Sequence, residues 1–177
     1  MSRAPRILGA VLAGGASRRF GSDKALAPFG GAPMLEHVVR TLAPQVAEIA
    51  ICGREWGDLR VLPDAGAERI GPLAGLDSAL RFAAANWFDA VLTTPVDVVP
   101  LPADLTAHLA GPCAAVFDDQ WLIGWWPVAL AEPLGRFLAT GDRRWHRWMQ
   151  EAGATRVAEP HPLHNLNTRA QWAALAA

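Results

Sequence analysis

Short apolar runs alternate with helical patterns along the first 110 residues, and this alternation leaves few possible architectures. Each run is closed by Gly, Pro or Asp, as is typical of a buried strand entering a loop. We expect strands at 7–12, 48–52, 60–62 and 88–94. Helical spacing and start signals predict helices at 33–42, 73–85 and 102–109. The alternation therefore predicts an α/β fold with a mostly parallel sheet, covered by helices on both faces.

The C-terminal half departs from this alternation. Predicted strands at 114–117 and 121–126 flank a polar turn at 118–120, which indicates a small antiparallel element in an otherwise parallel sheet. Further helices are predicted at 127–140, 143–152 and 168–176. Because no repeat, low-complexity tract or long linker divides the chain, we predict a single domain over residues 1–177.

Composition excludes several classes of function. The net charge is −1, which argues against a nucleic-acid partner. No apolar run is long enough to span a membrane and no signal-peptide pattern precedes the first strand, so we expect a cytoplasmic protein without a membrane partner. The charge is uneven, since residues 1–40 carry six basic side chains against Asp23 and Glu36. This local excess suits a small polyanion better than a long one.

Lys24 is the only lysine of the chain, and the other fifteen basic residues are arginines. It closes a Gly-rich segment at 12–24 that directly follows the first predicted strand. Paired glycines let the backbone approach a phosphate closely, and the flexible ammonium of a lysine can follow phosphate charge as it moves. The segment predicts a phosphate site with Arg18 or Arg19 as a second cation. The alternative interpretation is an ordinary βα turn whose arginines are solvated. The glycine spacing of the segment excludes an NAD-type oxidoreductase.

Carboxylates follow two other predicted strands. Asp97 comes after the strand at 88–94, and Asp64 comes after the strand at 60–62. Ligands of parallel α/β sheets bind beyond the carboxyl ends of the strands, so both are candidates for the same site. Asp97 is a natural Mg²⁺ ligand, because Mg²⁺ prefers one or two carboxylates together with phosphate oxygens and water. A turn or helix-cap role for Asp97 is the alternative.

Two further segments contain candidate residues. Gly71-Pro72-Leu73-Ala74-Gly75 leads into a helix whose N-terminus is placed to face a ligand. For Gly75, close packing of the helix on the sheet is an equally good interpretation. Near the C-terminus, Asn165 and Asn167 alternate toward one side before Thr168, a predicted helix cap, as though they contact something polar.

Three tryptophans lie together at 121, 125 and 126. They predict either one wall of a pocket for a flat ring or a strand in the core, and the core is the favoured interpretation. No Gly-x-Ser-x-Gly elbow and no reactive cysteine context occur, which disfavours covalent nucleophilic catalysis.

Four blocks, taken together and in order, resemble the molybdenum cofactor guanylyltransferases. They are Leu12-Ala-Gly-Gly-x-Ser-x-Arg-x-Gly-x-Asp-Lys24, Gly71-Pro-Leu-Ala-Gly75, Pro95-x-Asp97 and Asn165-x-Asn167-Thr168. The family consists of small nucleotidyltransferases with a Rossmann-like fold, so the resemblance implies three layers, α/β/α. The blocks span most of the chain, from Leu12 to Thr168.

The resemblance implies a Mg²⁺-dependent enzyme that transfers GMP from GTP to molybdenum-molybdopterin, giving the guanine dinucleotide cofactor and pyrophosphate. It implies catalytic roles for Lys24, Arg18 and Asp97, with Asp97 as the metal ligand, and a substrate-side role for Asn165 and Asn167. The implied nucleotide-binding residues are Leu12, Ala13, Gly14, Gly15, Lys24, Asp64, Gly75 and Asp97. Molybdoenzyme-maturation proteins are implied as partners by family analogy.

Two alternatives stay open. The chain has Ile51-Cys52-Gly53-Arg54 where guanylyl members often carry Asn, so cytidylyl transfer to molybdopterin, or nucleotidyl transfer to a sugar phosphate, remains possible. A non-catalytic nucleotide-binding module is the alternative of another class. The segment 121–126 also lacks a His-Pro pair that is common in the family, so the acceptor side is less defined than the nucleotide side.

Overall fold

The computed structural model describes residues 3–14, 24–63, 71–166 and Gln171. Five α-helices lie within these ranges: α1 (Met34–Leu42), α2 (Pro72–Ala85), α3 (Leu105–Leu109), α4 (Ala131–Ala139) and α5 (Trp145–Glu151). The strands of the same ranges are β1 (Ile7–Leu12), β2 (Pro28–Phe29), β3 (Ala32–Pro33), β4 (Glu48–Cys52), β5 (Arg60–Leu62), β6 (Ala90–Pro95), β7 (Val98–Val99), β8 (Ala115–Phe117), β9 (Gly124–Pro127), β10 (Thr155–Val157) and β11 (His164–Asn165).

Seven of the described strands form one sheet in the order β10-β8-β9-β6-β1-β4-β5. Strands β5, β4, β1 and β6 pair in parallel, and β10 pairs in parallel with β8. Strand β9 is antiparallel to both of its neighbours, β6 and β8. The predicted mostly parallel sheet and its small antiparallel element in the C-terminal half are therefore confirmed.

Helices cover both faces of the sheet. On one face, apolar residues of α2, α4 and α5 pack against inward side chains such as Leu8 and Ala10 of β1. On the other face, α1 and α3 pack against Ile7 and Val11 of the same strand. Successive residues of a strand point to opposite faces, so an unbroken apolar run such as β1 supplies both cores. This arrangement is the three-layer α/β/α architecture expected from the resemblance.

Most predicted elements occur close to the predicted residues, and the differences have local causes. Strands β1, β4 and β5 have the predicted bounds. Strand β6 begins at Ala90 rather than at 88, because the backbone N–H of Phe88 donates to Ala83 O at 3.1 Å and so belongs to the turn after α2. Strand β9 begins at Gly124 rather than at 121, because Ile123 N donates to Gln120 O at 2.8 Å and closes a turn.

The remaining predicted helices are shorter than expected. The segment 127–140 divides into a 3-10 turn at Val128–Leu130 and α4, while 102–109 and 143–152 contain α3 and α5. The helix predicted at 168–176 lies outside the described residues, apart from Gln171. The single-domain assignment over 1–177 stays a prediction. Among the described helices, none combines the length and apolar character that crossing a membrane requires.

Two small antiparallel pairs had not been predicted. Strands β2 and β3 flank Gly30-Gly31, and both glycines have positive φ angles, +55° and +89°. A Gly-Gly pair between two extended residues is a hairpin signal that could have revealed this pair. Strands β7 and β11 pair residues that are more than sixty positions apart in the sequence, and no local sequence pattern predicts such a contact.

Candidate active site

The predicted site segments follow neighbouring strands of the sheet. The register places Leu62 beside Cys52, Cys52 beside Leu12, and Leu12 beside Pro95. We call this row of strand ends, Leu62-Cys52-Leu12-Pro95, the carboxyl edge. Adjacent strands lie about 4.8 Å apart, so the segments leaving β1 and β6 begin as close neighbours.

The start of the Gly-rich segment is part of the carboxyl edge. Ala13 N donates to Cys52 O at 3.0 Å, which continues the pairing one residue beyond β1. Ala13 is buried, while Leu12 and Gly14 are half-buried. The backbone at Leu12 and Ala13 is thus held at the sheet, and Gly14 follows directly. The family resemblance implies that these three residues contact the nucleotide.

Several predicted site residues lie outside the described structure. Gly15, Arg18, Asp64 and Asn167 fall in the segments 15–23, 64–70 and 167–170, and the roles assigned to them stay predictions. The backbone of Lys24 opens a 3-10 turn, Lys24–Leu26, and its side chain is not among the described groups.

The chain returns to the sheet directly after Lys24. Ala25 is 2% exposed and belongs to the apolar cluster that contains Val11, Ala13 and Leu35. Met34 N donates to Ala27 O at 3.1 Å, which joins this stretch to the start of α1. The Gly-rich segment therefore leaves the end of β1 and is anchored again on the α1 face of the same strand.

Asp97 and the Asn165 segment, which are distant in sequence, are brought together by the pairing of β7 with β11. Val98 lies opposite Asn165, and Leu166 N donates to Asp97 O at 2.8 Å. Leu166 is fully buried in a small apolar cluster with Met34 and Val99, which holds the pairing in place. The structure thus brings Asp97, half-buried and two residues beyond the carboxyl edge, next to Asn165.

Gly75 is buried in α2, where the helix crosses the carboxyl edge. A Cβ built on Gly75 would lie 2.9 Å from Leu12 Cδ2 and 3.1 Å from Cys52 Cβ. The Cys52 thiol donates to Gly75 O at 3.5 Å. The contacts that the structure shows for Gly75 are those of close helix–sheet packing, and its predicted contact with the nucleotide stays a prediction.

We expect Gly75→Val to lower the free energy of unfolding by about 1–3 kcal/mol, because the new side chain would force α2 away from the strand ends. The measurement is urea unfolding without nucleotide. Gly111→Val is the matched control, since a Cβ at Gly111 meets nothing within 4 Å. An unchanged unfolding midpoint for Gly75→Val would show that close packing at Gly75 contributes nothing to stability.

The turn between α4 and α5 is a separate electrostatic feature. Asp142 accepts hydrogen bonds from the backbone N–H of Arg144 at 2.9 Å and from the guanidinium of the same residue at 2.6 Å. These bonds hold the pKa of the Asp142 carboxyl well below its usual range and raise the pKa of Arg144. The Arg144 guanidinium is largely exposed, so the ion pair itself contributes little stability. The bond from Arg144 N to the Asp142 carboxylate fixes the shape of the turn before α5.

Among the described residues, no group of three or more His, Cys, Asp or Glu side chains could hold a metal. A single carboxylate nevertheless fits Mg²⁺, which completes its shell with phosphate oxygens and water. Asp97, which follows the strand paired with β1, is the described carboxylate that the sequence predicts for this role.

Residues 9–158 match the MobA-like NTP transferase domain family. The chain belongs to this family. A molybdenum cofactor guanylyltransferase of Cereibacter sphaeroides is 39% identical over 93% of this chain and 92% of its own length. One of Acidiphilium cryptum is also 39% identical, over 90% and 89%.

Solved structures agree with the family assignment at the level of the fold. Molybdopterin-guanine dinucleotide biosynthesis protein A from Archaeoglobus fulgidus superimposes with a TM-score of 0.66 at 20% identity, covering 84% of this chain and 82% of that one. The family that the four sequence blocks resemble is confirmed, and with it the nucleotidyltransferase class of the chain.

Proposed function

We propose that this chain transfers GMP from GTP to molybdenum-molybdopterin, releasing pyrophosphate and forming the guanine dinucleotide cofactor. The family and its named relatives support this activity. The observation that supports the proposal is the register of β1 with β6, in which Leu12 pairs with Pro95, so that the chain leaves for Gly14 and for Asp97 from neighbouring strand ends. A triphosphate lying across these two strand ends would meet both.

The proposed reaction depends on the alignment of the two reactants more than on proton transfer. A terminal phosphate oxygen of the acceptor attacks the α-phosphorus of GTP, an O–P bond forms, and the bond from that phosphorus to the bridging oxygen of pyrophosphate breaks. The nucleophile is already an anion, so no general base is needed. The protein then contributes by holding the reactants in line and by offsetting negative charge.

The chain's own residues divide this work. Backbone N–H groups at Gly14 and Gly15 would approach the phosphates, which side chains there would prevent. Lys24 and Arg18 would offset the charge on the departing pyrophosphate. Asp97 would hold Mg²⁺, whose charge offsets that of the α-phosphate. Asn165 and Asn167 would bind polar groups near the reacting phosphates.

The loop after β4 is the place where the base would be selected. The Cys52 side chain faces α2 rather than this loop, since its thiol bonds Gly75 O. Gly53 has a φ angle of +87°, a conformation that favours glycine, and its N–H donates to Leu62 O at 3.1 Å. The Gly53-Arg54 backbone therefore begins the surface that distinguishes guanine from cytosine in this proposal.

The test is a product assay with purified chain, Mg²⁺, molybdenum-molybdopterin and one of GTP, CTP, ATP or UTP. We expect pyrophosphate and the guanine dinucleotide with GTP, at a kcat/KM at least about tenfold above that with any other nucleotide, the ratio that 1.4 kcal/mol of selective binding produces. Preference for CTP would replace guanylyl by cytidylyl transfer. Absence of pyrophosphate release with every nucleotide would favour a non-catalytic module.

Partners among molybdoenzyme-maturation proteins are proposed by family analogy only. The cofactor formed here must be delivered to an enzyme that uses it, so a transfer partner is a chemical expectation of the proposed activity.

A further inference from the structure

The structure separates the three tryptophans at 121, 125 and 126. Trp125 and Trp126 lie in β9 and are 4% and 0% exposed, so they belong to the core. Trp126 also donates through its indole N–H to Thr93 Oγ1 at 3.0 Å. Trp121, in contrast, lies in the turn between β8 and β9 and is 42% exposed. Core packing therefore accounts for two of the three.

Trp121 lies on the same side of the sheet as the candidate site. Strand β8 ends at Phe117 and β9 begins at Gly124, and Gly124 pairs with Thr93 near the end of β6. The turn at 118–123 thus extends the carboxyl edge beyond β6, on the side away from β1. Because β6 lies between β9 and β1 in the sheet, the segment from Pro95 to Asp97 leaves the sheet between the Trp121 turn and the end of β1.

The indole of Trp121 is fixed in place although it is exposed. Its N–H donates to Asp118 O at 2.6 Å, and the guanidinium of Arg156 lies 5.8 Å from the ring centroid. Arg156 also donates to Asp118 O at 2.7 Å, and Trp145 donates to Trp121 O at 3.0 Å. A ring held this way loses little conformational entropy when a ligand covers it.

The backbone of the turn is equally fixed. One carboxylate oxygen of Glu159 accepts the N–H groups of Asp119 at 2.7 Å and of Gln120 at 3.1 Å. No hydrogen bond or ion pair joins the Asp119 carboxylate to any residue in the described part of the chain. The turn that carries the exposed Trp121 ring therefore also carries the carboxylates of Asp118 and Asp119 and binds that of Glu159, and the Arg156 guanidinium is paired with the first of them.

We propose that Trp121 is the platform on which the flat, fused nitrogen ring of the acceptor stacks; this inference rests on the proposed function. The position favours the acceptor over the guanine base, because the end of β1 and the loop after β4 lie on the other side of β6. The three carboxylates at the turn outnumber the Arg156 guanidinium, which is already paired with Asp118, so they disfavour a phosphate at this point but suit the N–H groups of an aminopyrimidinone ring. The acceptor's phosphate would then point toward Asp97 and the α-phosphorus of GTP.

The first test separates acceptor binding from nucleotide binding in steady-state kinetics. We expect Trp121→Leu to raise the KM for molybdenum-molybdopterin about tenfold, the loss that removing one ring stack produces, with the KM for GTP unchanged. Trp121→Phe keeps an aromatic face and should recover most of this loss. An unchanged acceptor KM, or a rise in the KM for GTP instead, would overturn the inference.

The matched control is Trp87→Leu. Trp87 is 83% exposed, and it lies between α2 and β6, at the opposite end of the sheet from the carboxyl edge. It therefore reports what loss of an exposed indole does by itself. We expect Trp87→Leu to have the acceptor KM of the unaltered chain.

A binding readout keeps this inference independent of turnover. The probe is a pterin carrying a 6-hydroxymethyl phosphate, followed by its own fluorescence polarisation. We expect it to bind the unaltered chain and Trp87→Leu, and to bind Trp121→Leu about tenfold more weakly. Equal binding by all three, or no binding at all, would overturn the role of Trp121. Failure of GMP transfer alone would overturn the proposed function and leave this measurement to decide Trp121 separately.

Discussion

Asp97→Ala is expected to lower kcat for GMP transfer by about a hundredfold or more, the effect of losing one charge partner in a transition state. The carboxylate is proposed to hold the metal that offsets charge at the α-phosphate. The substitution should leave the local backbone intact, because the bond from Leu166 N is accepted by the main-chain oxygen of Asp97. The loss therefore reports the side chain rather than a displaced strand. Single-turnover assays with saturating GTP and Mg²⁺ measure it.

Glu132→Ala is the control for this experiment. Glu132 is an exposed carboxylate in the first turn of α4 and pairs with Arg136 at 2.7 Å. A surface pair of this kind contributes little, so kcat should be unchanged. A purified Asp97→Ala chain whose kcat is within a few fold of the unaltered chain would remove Asp97 from the mechanism.

Lys24→Ala is expected to reduce kcat by a similar factor, about a hundredfold or more, because the pyrophosphate would leave without its cationic partner. Lys24→Arg should recover only part of this loss. A guanidinium is a planar fork with fixed donor directions, whereas an ammonium on a flexible stem follows the phosphate as its charge moves. The same single-turnover assay measures both variants.

Arg136→Ala provides a matched loss of one positive charge away from the carboxyl edge and should leave kcat unchanged. Full activity of Lys24→Ala, or complete recovery in Lys24→Arg, would show that the position needs no lysine. In that case the use of lysine at this one position, in a chain whose other basic residues are arginines, would have no catalytic reason.

Those parts of the fold that depend on local pattern were predictable. The aliphatic runs of β1 and β4 and the Ala- and Leu-rich sequence of α2 predict buried elements, because such apolar runs are typical of strands and helices in a protein core. The parallel pairing of β1, β4, β5 and β6 was predictable as well, because alternating strands and helices produce a parallel sheet. The antiparallel β8–β9 pair was readable from the polar turn between two apolar stretches.

Contacts between distant segments were not predictable in this way. The pairing of β7 with β11 depends on Leu166 being buried with Met34 and Val99, and a single Leu near a chain end gives no such signal. The exposure of Trp121 could not be predicted from the sequence for a similar reason. Three tryptophans within six residues resemble one apolar strand, and only the hydrogen bonds of the turn separate the first from the other two.

For the candidate site, the sequence identified the segments that carry candidate residues, and the structure shows how the described ones lie relative to one another. The end of β1, Asp97 and Asn165 meet at one edge of the sheet, as ligand positions of parallel α/β sheets do. For Gly75, the sequence made helix–sheet packing and ligand contact equally good interpretations, and the structure shows the packing contacts. The roles of Lys24, Arg18, Asp64 and Asn167 stay predictions that the variants above and their counterparts can test.

Lys24 and Asp97 are proposed to bind the same triphosphate, and the single lysine of the chain allows this to be measured by NMR. Labelling lysine with ¹³C at Cε gives one side-chain NMR signal, that of Lys24. Mn²⁺ replaces Mg²⁺ as a paramagnetic probe, and GTP is added at saturation. We expect Mn²⁺ with GTP to broaden the Lys24 signal beyond detection in the unaltered chain and far less in Asp97→Ala. A Lys24 signal that stays sharp while Mn²⁺ and GTP are bound would show that Lys24 and Asp97 do not bind the same triphosphate.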